Sequence, residues 1–144
     1  MKRLAIIALA LAVGACASTQ RTFSYGRGAD ARIDVDGKPM MLHLHPRDDA
    51  VMAEVTLTDA AVGGLVQGFT LGMVQADRPN PNSVNREMAR FIAPSGCSFA
   101  PVRPLGGEGV AFETSFTCPS GVSLRDLMAA QRDALLEGRP LQAD

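Results

Sequence analysis

The segment ARIDVDGKPMMLHLHPRDDAVMAEVTL, residues 31–57, decides the fold. Apolar and polar positions alternate on both sides of Asp36-Gly37. That dipeptide favours a two-residue hairpin turn, because both turn positions need positive φ. A turn there sets Val35 opposite Lys38, Ile33 opposite Met40 and Ala31 opposite Leu42. The next break, Pro46-Arg47-Asp48-Asp49, sets Leu44 opposite Val51, Leu42 opposite Ala53 and Met40 opposite Val55. Both registers gather one apolar face: Ala31, Ile33, Val35, Met40, Leu42, Leu44, Val51, Ala53, Val55 and Leu57. A one-residue slip in either hairpin would scramble that face. Residues 29–57 therefore read as a three-stranded antiparallel meander. The opposite face carries Asp30, Arg32, Asp34, Met41, His43, His45, Met52, Glu54 and Thr56, and is expected to face water.

A second hairpin is expected over residues 98–117, centred on Gly106-Gly107-Glu108-Gly109. That centre pairs Phe99 with Phe116, Arg103 with Phe112 and Leu105 with Val110. Cys97 and Cys118 are equidistant from it, so they face each other near the distance a disulfide needs. Pro101 and Pro104 cannot donate to a ladder, which makes this first strand an edge. Three helices are expected. Over 58–76, Leu65, Phe69 and Met73 share one side, with Gly64, Gly68 and Gly72 as a second stripe; packing of that stripe within the domain is the plain reading. After the Asn80-Pro81-Asn82-Ser83 cap cluster, Val84, Met88, Phe91 and Ile92 recur at helical spacing until Pro94-Ser95-Gly96. Ser123 caps the last helix, with Leu124, Leu127, Met128, Gln131, Ala134 and Leu135 on one face and Gly138 and Pro140 at its end.

The first sixteen residues speak to location. Lys2 and Arg3 precede an apolar run over 4–13, then Val13-Gly14-Ala15 leads into Cys16. Positive start, apolar run and small residues form a secretory signal peptide. The run is about half of the ~20 residues a membrane span needs. With cysteine directly after the small residues, the segment resembles the lipobox of bacterial lipoproteins. The resemblance implies cleavage of residues 1–15, acyl chains such as palmitate on Cys16, and a lipid anchor in the cell envelope. Ala17 after the cysteine implies the outer membrane, facing the periplasm. Residues 17–28 read as a spacer, reaching at most roughly 40 Å when extended, and residues 29–140 as a single domain.

The whole chain has a formal net charge of −1, with 14 basic and 15 acidic residues. Losing Lys2 and Arg3 makes it more acidic. No nucleic-acid partner is expected, there being no basic surplus to neutralise phosphates. With Cys16 lipidated, Cys97 and Cys118 remain, an even number suited to one bridge in an oxidising compartment.

Chemistry-bearing motifs are few. His43 and His45 lie at i and i+2 on one strand, so both imidazoles project from one face. Asp30, Met52 and Glu54 are register neighbours, and the set could hold zinc or copper. No G-x-S-x-G elbow or H-E-x-x-H helix occurs, and Gly106-Gly107-Glu108-Gly109 lacks the Lys-Ser/Thr of a phosphate loop. The expected fold is α+β, a mostly antiparallel sheet of about five strands with two or three helices on one face. The expected function is a non-catalytic envelope lipoprotein, an accessory or interaction domain that meets the membrane through Cys16 and docks another envelope protein. It is not expected to be an enzyme or to need a cofactor. The alternative is a periplasmic metal or small-ligand binder using the His43/His45 face.

Overall fold

The structure, a computed structural model, describes residues 21–26, 28–56, 78–105 and 110–142. The expected helix over 58–76 and the glycine-rich hairpin tip lie outside these residues. The fold is α+β. Strands β1 (Ala31–Val35), β2 (Lys38–Leu44), β3 (Ala50–Val55), β4 (Ser98–Phe99), β5 (Arg103–Leu105) and β6 (Ala111–Thr117) form one antiparallel sheet. Its order is β1-β2-β3-β6-β4, with β5 also paired to β6.

The meander has the expected register throughout: Ile33 faces Met40, Leu42 faces Ala53 and Leu44 faces Val51. Its first turn has φ 53° at Asp36 and 79° at Gly37. The Asp34 carboxylate accepts from the Gly37 N–H at 2.8 Å and fixes the turn. Positive φ at both positions matches the twist of the flanking strands.

Helix α1 (Pro81–Ile92) begins where Asn80 accepts from the Asn82 N–H at 2.9 Å, with Pro81 in the first turn. Pro suits that position because its missing N–H would have no helical partner. Val84, Met88, Phe91 and Ile92 face the sheet and are buried. The helix runs into a 3-10 turn, Ala93–Ser95, and stops at Gly96 with φ 74°. The C-terminal helix comes as two pieces, α2 (Leu124–Ala130) and α3 (Arg132–Leu136). Ser123 caps α2 as expected. The break falls at Gln131, which the sequence reading sets inside one continuous helix. Its side-chain amide bonds the backbone of Gln142 in both directions, each at 2.9 Å. That clamp holds the chain end and lets Leu141 join Leu135 in the core.

Helices α1, α2 and α3 pack on the apolar face of the sheet, in one cluster with Met40, Leu42, Val51, Ala53 and Phe112. Full burial of one such side chain contributes roughly 1.5–3 kcal/mol. Cys97 and Cys118 close this side, with their sulfurs 2.01 Å apart.

The second hairpin departs from its expected register. Ser98 and Phe99 pair with Thr117 and Phe116 as expected. Beyond them Arg103 faces Glu113, not Phe112, and Leu105 faces Ala111, not Val110. One extra residue has been absorbed between Phe99 and Arg103, which is a β-bulge. Pro101 lies in it and has no N–H to lose. Around it the Ala100 N–H bonds Ser115 O at 3.0 Å, and the Thr114 hydroxyl donates to Ala100 O at 2.5 Å. The slip moves Arg103 off the apolar face, where its charge would stand unpaired, and onto the face of Glu113.

Candidate functional site

The face expected to be wet is covered over much of β2, β3 and β6. Met52, His43, His45 and Glu113 are all buried there. The cover comes from residues 21–26, which the sequence reading assigns to the spacer. A helical turn at 21–23, continued by a bond from the Tyr25 N–H to Thr22 O at 3.3 Å, lies on the sheet. Tyr25 is 4% exposed and joins Ala50, Met52, Ala111 and Leu105 in a second apolar cluster.

Glu113 is the centre of this arrangement, at 1% exposed. A buried carboxylate is costly unless its oxygens are fully bonded. Here they are. Oε1 accepts from Arg21 Nε at 2.6 Å and from the Tyr25 hydroxyl at 2.5 Å. Oε2 accepts from Arg103 Nε at 3.2 Å and from its terminal nitrogen at 2.7 Å. Burial alone would push the Glu113 carboxyl up. The Tyr25, Arg103 and Arg21 donors outweigh it and hold the group below its ordinary value. Burial and the Glu113 charge push the Tyr25 phenol well above its ordinary value. Arg21 also bonds the exposed Asp48 at 2.7 Å and lies 5.4 Å from the Tyr25 ring centre.

His45 is wired into the same network. Its Nδ1 accepts the N–H groups of Asp48 at 2.9 Å and Arg47 at 3.3 Å. With two backbone donors on Nδ1 the ring proton belongs on Nε2, which lies 2.9 Å from Ser24 Oγ and 3.2 Å from Arg21 Nη1. Ser24 in turn donates to Arg21 O at 2.6 Å. The ring meets Tyr25 edge-on, with centroids 5.0 Å apart. Ser24, His45 and Asp48 thus have the composition and spacing of a hydrolytic triad, with Asp48 Oδ2 at 3.3 Å from Nδ1. The wiring is reversed. A base for serine needs Nδ1–H toward the carboxylate and a free lone pair on Nε2. Backbone donors hold the other tautomer, and the serine proton points at a carbonyl.

The candidate metal ligands do not converge on one point. His45 has both nitrogens engaged within the protein. The Asp30 carboxylate accepts the Leu44 N–H at 2.8 Å, as part of the chain's entry into the sheet. Met52 is packed under Tyr25. His43 stands apart with Glu54: Nδ1 is 3.1 Å from Gly28 O, and Nε2 is 2.9 Å from Glu54 Oε1. The Glu54 contact is off the line of a hydrogen bond, which leaves Nε2 without one. Burial lowers the affinity of this ring for a proton; Glu54, Gly28 O and Asp30 reverse that, and the net shift is upward. Among the described residues, no three His, Cys, Asp or Glu side chains are placed to share a metal.

Arg21, Ser24 and Tyr25 are the site residues that reading the sequence misses. Strand periodicity cannot see them, because they come from outside any strand. The only hint is Tyr25, the single tyrosine of the chain, in an otherwise small and polar segment. Two arginines secure the junction. Arg132 donates to Ala29 O at 2.9 Å and Arg125 to His45 O at 2.7 Å. No family model, curated protein or solved structure matches the chain.

Proposed function

We propose that this chain is a lipid-anchored envelope lipoprotein, a non-catalytic accessory or interaction domain held at the outer membrane and facing the periplasm. One observation carries the reading: Cys97 and Cys118 are at bonding distance across a hairpin, in a chain that opens with a lipobox-like leader ending at Cys16. A disulfide in a small domain fits an oxidising compartment, the destination such a leader specifies. The buried polar groups around Glu113 and His45 fit the non-catalytic part. Their donors and acceptors are spent on one another, as in a network that specifies a fold.

The test is the mature N-terminus. Expressed in a bacterium, the protein should carry a diacylglyceryl mass on Cys16, partition into detergent, and accumulate as the longer precursor under globomycin. Crosslinking in intact envelopes should then give a stoichiometric protein partner. Unchanged mobility and partitioning in Cys16→Ser would contradict the anchor, and a protein that stays uncrosslinked in intact envelopes would contradict the accessory role.

A further inference from the structure

Phe23 is 79% exposed, far more than the other large apolar side chain that stands out among the described residues, Leu136 at 36%. It sits between Arg21 and Tyr25, both committed to Glu113, on a turn that the sheet holds in place. The phenyl ring is therefore presented outward by a fixed support. A single exposed apolar residue is ordinary on its own. Its distance from Cys16 along the chain makes this one different. Four residues separate Cys16 from Arg21, and the five Cα steps between the two span at most roughly 18 Å when fully extended. With acyl chains on Cys16, the turn cannot stand far from the headgroups. The charge beside it is also muted, since the exposed Asp48 carboxylate is paired with Arg21 at 2.7 Å.

We propose that the N-terminal turn is a foot seated on the bilayer, with Phe23 in the membrane interface and the Arg21–Glu113 contact setting the height of the domain. The inference rests on the lipoprotein reading and adds to it. The occupant of the exposed ring is the bilayer that holds the acyl chains. Aromatic rings favour that interface because one end can lie among acyl chains while the backbone stays wet.

The chain contains no tryptophan, so Phe23→Trp introduces a single tryptophan, excited selectively over Tyr25, at a site too exposed to disturb folding. The lipidated full-length protein goes into phosphatidylcholine–phosphatidylglycerol vesicles, with and without brominated acyl chains. The expected result is a blue-shifted emission quenched at least twofold by the brominated lipid. Water-like, unquenched emission from protein whose mass shows acyl chains on Cys16 would overturn the foot and leave the lipoprotein reading standing. Absence of acyl mass would overturn both. Height is read separately by energy transfer from Arg47→Trp, beside Asp48, to a dansyl headgroup. Adding Arg21→Ala and Tyr25→Ala should lower that transfer at least twofold, because the released segment lengthens the tether. Unchanged transfer would overturn the claim that the contact sets the height.

Discussion

The two faces of the β2–β3–β6 sheet are held by different physics. One buries Met40, Leu42, Val51, Ala53 and Phe112 under helices. The other buries a carboxylate and two histidines, and three side-chain donors, Arg21, Tyr25 and Arg103, close on the carboxylate. The first face tolerates loss of any single contact in proportion to the volume lost. The second is all-or-none in kind, because removing one partner leaves another buried and unpaired. Strand alternation describes the meander's share of the first face and is blind to what closes the second.

The largest effect is expected on the apolar face. Phe112→Ala, at a position 1% exposed, should destabilise the domain by about 3–5 kcal/mol in denaturant unfolding. Glu113→Gln comes next, at about 3 kcal/mol. It belongs at the lower end for a broken buried pair, because the Arg103 side chain is 74% exposed and can rehydrate. The same variant should change the acid limb. The folded Glu113 carboxyl is lowered from 4.5, so its stabilisation is present above that value and lost as pH falls through the folded one. Glu113→Gln should flatten that decline in a pH series of unfolding midpoints.

Smaller changes separate the parts of the polar face. Tyr25→Phe keeps the ring and removes one donor to a charged acceptor, for a loss of about 1.5 kcal/mol. A loss equal to that of Glu113→Gln would mean that the hydroxyl and not the arginines holds the carboxylate. The smallest effect is expected at His43, whose folded value is raised above 6.5. Its contribution is full below that pH and fades as pH rises through the folded value. His43→Gln should remove this fade, which thermal unfolding at pH 6 and pH 8 would detect. No difference between the variant and the parent slopes would place the ring outside the ionic balance of the face.

The legible parts of the fold are those where one local rule decides. Asp36-Gly37 sets a turn, the turn sets a register, and the register sets a face. Asn80 and Ser123 mark helix starts by the same local logic. Cys97 and Cys118 follow from the hairpin's centre. The register of Arg103 was not legible, because it depends on a balance between strand symmetry and the cost of a charge on the apolar face. The helix break at Gln131 is illegible for a similar reason: the residue's partner, Gln142, lies beyond the helix end. The site was least legible of all. His43 and His45 share a strand face, as spacing requires, yet are divided by partners from residues 24, 28 and 54. Arg21 and Tyr25 reach Glu113 across most of the chain, and no periodicity reports a contact of that range.

Tyr25 offers the most direct test of the closed second face, because the chain holds one tyrosine and no tryptophan. Its phenol can be titrated by ultraviolet absorbance in the intact protein without a competing signal. With the hydroxyl bonded to Glu113 on a covered sheet, it should stay protonated well above its ordinary value of 10.0 and ionise only as the domain unfolds. A reversible midpoint near 10.0 in the folded protein would show that residues 21–26 leave the sheet open, contradicting the account.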